Sequence, residues 1–131
     1  MEPAAEALSQ LTDISSQVEA AVLFDRSGTV AGATLPDERA ARLASTARAL
    51  LEAAEQVREG EIAQLEASTG EGSLFVIRDG EQLIAAATGP EPTSGLVFYD
   101  LKSCLRRATD QPKPKRRTST KRTRPKSSGS S

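Results

Sequence analysis

The feature that most limits this chain is an abrupt change of character at Asp110. Residues 111–131 carry eight Lys and Arg, no acid, and no apolar residue to bury apart from prolines. Residues 1–110 hold all 18 acids against nine Lys and Arg, a net charge of −9. The overall charge of −1 therefore hides an acidic body and a +8 segment. A segment without apolar side chains cannot offset the entropy lost on ordering, so 111–131 is expected to be a disordered basic tail. Folding is then confined to one domain over 1–110, which can bury roughly two-thirds of the surface its unfolded chain exposes. Aromatic residues make up only 3% of the chain, so the core must rest on Leu, Ile, Val and Ala.

Within the body, residues 3–15 predict a first helix, with Pro3 at its start and Leu8, Leu11 and Ile14 along one side. Residues 19–25 predict a strand that is apolar on both faces and therefore central. Arg26-Ser27-Gly28 predicts a tight turn, and Thr29 to Thr34 a return strand that Gly32 weakens toward a sheet edge.

Pro36 and Asp37 open the longest element, a helix to about Arg58 and about 33 Å long at 1.5 Å per residue. Gly60 is its expected stop. Its wheel has three sectors. Ala40, Leu43, Ala44, Ala47, Leu50, Leu51, Ala54 and Val57 form a core stripe. Ala41, Ser45, Arg48, Glu52, Glu55 and Glu59 form a solvated face. Between them lie Arg42, Thr46, Ala49, Ala53 and Gln56, a small and weakly polar sector. Such a sector fits either surface alanines chosen for helix propensity or a close helix–helix contact at about 8–10 Å.

Three strands follow. Glu61 to Ser68 alternates, with Ile62, Gln64 and Glu66 on one face and Ala63, Leu65 and Ala67 on the other, as a half-polar edge strand does. A turn at Thr69 to Gly72 leads to Ser73–Arg78, and Asp79-Gly80 signals a hairpin into Gln82–Thr88. That last strand is apolar on both faces and should be central. Gly89 to Pro92 breaks the chain, and Thr93 or Ser94 can cap a final helix whose inner face carries Val97, Leu101, Cys104, Leu105 and Ala108. The order α-β-β-α-β-β-β-α predicts an α/β fold, a three-layer α/β/α sandwich with a mainly antiparallel five-stranded sheet.

The residues offer no catalytic set. The chain has no His, and its one Cys falls on an apolar helix face, where it packs as a small hydrophobe. Gly70 and Gly72 precede no phosphate-binding helix, no cluster has metal-ligand spacing, and Asp25 and Asp79 sit where Asp satisfies turn donors. No enzyme activity, cofactor or metal is expected. Arg26, at a hairpin tip, is the most exposed candidate for an arginine finger, and a solvated turn residue is the stronger reading. One Cys, no run long enough for a membrane span, and an acidic N-terminus unlike a signal peptide suit a cytoplasmic protein.

From about Leu8 to Ala108 the chain resembles the roadblock/LC7 family. The stretch Val18-Glu19-Ala20-Ala21-Val22-Leu23-Phe24-Asp25-Arg26-Ser27-Gly28-Thr29-Val30 resembles that family's "gavlvDrdGlv" hairpin. Thr93-Ser94-Gly95-Leu96-Val97 resembles its "nlGlv" helix start. The resemblance implies a dimer in which the long middle helices pack together and the third strands join into one sheet. Arg42, Thr46, Ala49, Ala53, Gln56, Ile62, Gln64 and Glu66 would then form the interface. It also implies a non-enzymatic partner or regulator of a small Ras-like GTPase. The alternative is a ligand-sensing or dynein-light-chain-like scaffold.

The tail lies outside this resemblance. Lys113, Lys115, Arg116, Arg117, Lys121, Arg122, Arg124 and Lys126 suit electrostatic binding to nucleic acid or another polyanion through counterion release. Without aromatic residues, such binding would ignore sequence. A solubilising tail that screens the acidic body is the other reading.

Overall fold

A computed structural model describes residues 3–57 and 63–109. Three helices and five strands follow in the expected order: α1 (Pro3–Ile14), β1 (Val18–Asp25), β2 (Val30–Ala33), α2 (Asp37–Val57), β3 (Gln64–Thr69), β4 (Gly72–Asp79), β5 (Gln82–Thr88) and α3 (Ser94–Thr109). The strands form one antiparallel sheet in the order β2-β1-β5-β4-β3. The doubly apolar strands β1 and β5 lie inside it, and the short β2 and half-polar β3 take the edges.

Alternation along the strands divides the core in two. On one face Ala21, Leu23, Phe75, Ile77, Ile84 and Ala86 meet Leu8 and Leu11 of α1 and Val97, Leu101 and Leu105 of α3. Phe75 and Phe98 pack edge to face there, with ring centroids 4.9 Å apart. On the other face Val22, Phe24, Val76, Leu83 and Ala85 meet Ala40, Ala44, Ala47 and Leu51 of α2. The α/β/α sandwich is therefore formed by α1 and α3, the sheet, and α2.

Local chemistry sets the boundaries. The carbonyl of Pro36 accepts from the N–H of Ala40 at 2.9 Å, and Asp37 and Glu38 place negative charge at the positive end of α2. The carbonyl of Thr93 likewise accepts from Val97 at 3.0 Å and opens α3. The β1–β2 turn closes on Asp25. Its Oδ1 accepts from the Ser27 hydroxyl at 2.6 Å and from the N–H groups of Ser27 and Thr29, each at 3.0 Å. Gly28 takes φ +96° behind it.

Three details differ from the sequence reading. Val57 is 82% exposed rather than part of the core stripe, because at 100° per residue it lies about 110° round the helix from the centre of the buried Ala40, Ala44, Ala47 and Leu51. Arg48 and Glu55, placed on the solvated face, are half-buried. In the last hairpin Asp79 pairs with Gln82, so the loop is Gly80-Glu81, and only Gly80 has positive φ, at +65°, as a type II′ turn requires. In the preceding hairpin Thr69 pairs with Gly72 around a loop of Gly70-Glu71, the turn read from the sequence. Arg58, Glu59, Gly60, Glu61, Ile62 and the tail lie outside the described residues.

Candidate functional site

α2 uses alanine at three of its four buried positions, so the helix sits close to the sheet. It packs over β1, β2, β4 and β5. Beyond it the same face of the sheet continues through Leu74 of β4 and Leu65 and Ala67 of β3, all half-buried. At the other end of the helix a groove of about 450 Å³ runs between Leu43 and Thr46 of α2 and Ala20 and Ala87 of the sheet. This face is therefore only half covered. The sector predicted for contact borders it: Arg42, Thr46, Ala49, Ala53 and Gln56 are all exposed.

The β3 edge supplies the second half of the site. Arg78 donates its N–H to the carbonyl of Ala63 at 2.8 Å. Alternate residues of a strand turn both backbone groups to the same side. Ala63, Leu65 and Ala67 therefore bond inward to β4, and Gln64, Glu66 and Ser68 turn their N–H and C=O groups outward from the sheet.

The side chains of this edge divide between the faces. Glu66 lies beside Phe75 in the register and so faces α3. Its Oε2 accepts from the hydroxyl of Ser94 at 2.8 Å, in the first turn of α3, and from that of Ser68 at 3.4 Å. Gln64 shares that face. Leu65, beside Val76, faces α2. The structure thus sets α2, with its exposed sector, across the sheet from the side chains of Gln64 and Glu66. Leu65 and Ala67 are the strand residues on the helix's side. Their alternation was legible in the sequence, whereas the side on which α2 would lie was not. Ile62 is outside the described residues.

At the far end of α2, Arg26, Arg48, Glu52, Glu55 and Arg78 surround a small pocket of about 70 Å³. The sequence placed Arg26 alone at a turn tip, and the fold gathers two further arginines beside it. Arg78 and Glu55 are ion-paired at 2.7 Å. Asp25, near this end, has its pKa lowered, chiefly by the Ser27 hydroxyl and next by the Thr29 N–H. Cys104 is buried, its Sγ donates to the carbonyl of Ala7 at 3.4 Å, and burial pushes its pKa up to about 11. Among the described residues no group of His, Cys, Asp and Glu could hold a metal ion, and no helix is long and apolar enough to cross a membrane.

The site's scaffold is shared with known proteins. A structure of a roadblock/LC7 domain from Streptomyces avermitilis matches with a TM-score of 0.69 at 20% identity, covering 78% of this chain and 91% of that one. MglB from Myxococcus xanthus matches with a TM-score of 0.68 at 16% identity, covering 82% and 86%. MglB in a tetrameric arrangement matches with a TM-score of 0.64 at 20% identity, covering 82% and 85%. At these identities the likeness is one of fold. No curated protein matches the sequence. The family model for the roadblock/LC7 domain matches residues 4–88, most of the folded body. The chain belongs to the roadblock/LC7 family.

Proposed function

We propose that this protein is a non-enzymatic homodimeric interaction module that binds and regulates a small Ras-like GTPase. The observation that carries the dimer is the half-covered sheet face on the side of α2, whose small-residue sector is exposed, in a sheet that ends in the edge strand β3. A second copy related by a two-fold axis would cover the face and extend the sheet. The tetrameric arrangement of MglB, a protein of the same fold, accords with self-association. The GTPase is inferred from the family resemblance.

Sedimentation tests the dimer. Replacing Ala49 and Ala53 together with Glu brings like charges across the axis and should yield a folded monomer. A wild-type chain that sediments as a monomer at roughly tens of micromolar sinks the reading. The partner is tested by capture from native extract with wild type and the double variant. A GTPase retained by both in either nucleotide state, or by neither, counts against regulation. The purified protein alone should not turn over GTP.

A second reading rests on the segregation of +8 in residues 111–131 from −9 in the body. Lys113, Lys115, Arg116, Arg117, Lys121, Arg122, Arg124 and Lys126 would tether the module to a polyanion with steep salt dependence. Equal duplex binding at low salt by the full chain and by one ending at Asp110 removes this role.

A further inference from the structure

We infer that the basic tail docks on its own body, with Arg116 and Arg117 seated on the carboxylate of Asp100 and the ring of Tyr99 at the seam between α1 and α3. This goes beyond both readings above and depends on neither.

The seam lies on the side of the sheet away from α2. α1 and α3 run side by side and antiparallel there. The Cys104 thiol donates to the carbonyl of Ala7, and just beyond α1 the Gln17 side chain accepts from the N–H of Thr93 at 2.7 Å. Ile14, seven residues on from Ala7, keeps the flank of α1 that faces α3. Along α3, at 100° per residue, Asp100 stands 40° from Cys104 and Leu96 stands 80° in the same sense. Phe98, which packs on Phe75 of β4, lies the other way, so Asp100 and Leu96 are on the α1 side. Tyr99 is one turn from Leu96 on the outer surface.

Asp100 is only 7% exposed. Among the described residues no hydrogen bond or ion pair reaches its carboxylate, yet its oxygens are not sealed from solvent. Arg107, on the same flank, is two turns away, about 10 Å along the axis. A carboxylate so placed bears a desolvation cost that only a cation or donor offsets. Around it gather Ile14, Leu96 and Tyr99, each at least half exposed and three of the four large apolar side chains that stand in solvent among the described residues.

Arginine answers both features, since its fork pairs with a carboxylate while its plane stacks on an aromatic ring. The tail carries two arginines directly behind a proline-rich stretch, Pro112-Lys113-Pro114-Lys115-Arg116-Arg117. Prolines favour an extended backbone that lies well on exposed aromatic and apolar side chains. The chain is also long enough. From Thr109, Asp100 is about 14 Å and Leu96 about 20 Å back along α3. Extended at about 3.1 Å per residue, Lys113 spans only about 12 Å from Thr109, whereas Arg116 and Arg117 span about 22–25 Å. The −9 body attracts the +8 segment throughout. Docked in this way the two arginines are withheld from other anions, and a polyanion must displace them to bind.

Tyr99 is the only tyrosine and the chain has no Trp, so tyrosine emission reports this seam alone. The full chain is titrated with acrylamide, a neutral quencher, at low salt. Arg116→Gln with Arg117→Gln should raise the quenching constant about threefold, because the paired and stacked form is then lost. Asp100→Asn should do the same from the other side of the contact, as should about 1 M salt, which screens beyond about 3 Å. Lys121→Gln with Arg122→Gln removes equal charge from the tail and should change nothing. The tail substitutions leave the core of the body untouched, so they read the contact even where Asp100→Asn disturbs the helix. Equal quenching in wild type and the 116/117 variant, or an equal rise in the 121/122 variant, overturns the inference. Shielding of Tyr99 that is lost when the wild type is diluted assigns the seam to a second copy and overturns it as well.

Discussion

Arg78 of β4 reaches Glu55 of α2, with Nη1 2.7 Å from Oε2 and the arginine side chain only 6% exposed. The pair fastens the C-terminal half of α2 to the sheet at the level where apolar burial on the helix ends. It also turns a residue of the apparently solvated face inward. A guanidinium this buried depends on its carboxylate, since the desolvation cost remains if the partner is removed.

Glu55→Ala should therefore cost about 2 kcal/mol of stability, more than an exposed ion pair is worth. Glu55→Gln, which retains an acceptor oxygen, should cost about half as much. Urea unfolding followed by circular dichroism measures both. Equal and negligible losses would show that the pair contributes nothing beyond its geometry.

Gly72 and Gly70 bracket one short hairpin and should respond oppositely to alanine. A Cβ at Gly72 would collide with the backbone carbonyl oxygen of Thr88, whereas at Gly70 it meets nothing within 4 Å. The φ of Gly70 is not positive, so alanine fits there. Gly72→Ala should cost about 2–3 kcal/mol, as overpacking against backbone does. Gly70→Ala should be neutral or stabilising by up to about 1 kcal/mol through the unfolded chain. Thermal unfolding of the two variants decides, and a Gly72→Ala midpoint equal to wild type would refute the steric argument.

The thiol of Cys104 gives a pH signature. Burial raises its pKa from 9.0 to about 11 in the folded chain, because the thiolate loses its solvation there. The folded pKa lies above the unfolded one, so this contribution is complete below pH 9.0 and is lost as pH rises toward about 11. Stability of the wild type should fall across that window more steeply than stability of Cys104→Ala. Below it, a disulfide-exchange reagent should label the native thiol only as fast as the protein opens. Immediate labelling at pH 8 would show that Cys104 is reachable in the fold.

Much of this protein was determined by its sequence alone. Period-2 and period-3.6 patterns, with turn residues between them, specify eight elements and both doubly apolar strands. β5 begins and ends at Gln82 and Thr88, as its apolar run requires. Asp25 is readable as the residue that closes its turn, because its donors are two and four positions away. Side-chain chemistry over a few neighbouring residues is enough for such features.

What only the tertiary structure decided concerns how elements cross. The pattern of β3 separates Gln64 and Glu66 from Leu65 and Ala67, but periodicity cannot say which set will share a face with α2. That follows from α2 and α3 lying on opposite sides of the sheet. The stripe read along α2 likewise reaches Val57, yet the buried positions are Ala40, Ala44, Ala47 and Leu51, and Val57 is turned away from them to solvent. It assigns Glu55 to solvent, yet Arg78, 23 residues away in sequence, draws it into an ion pair. A local pattern fixes which way a side chain points along its own element. What it meets there depends on the angle and overhang between elements distant in the chain, and those are set by packing of the whole core.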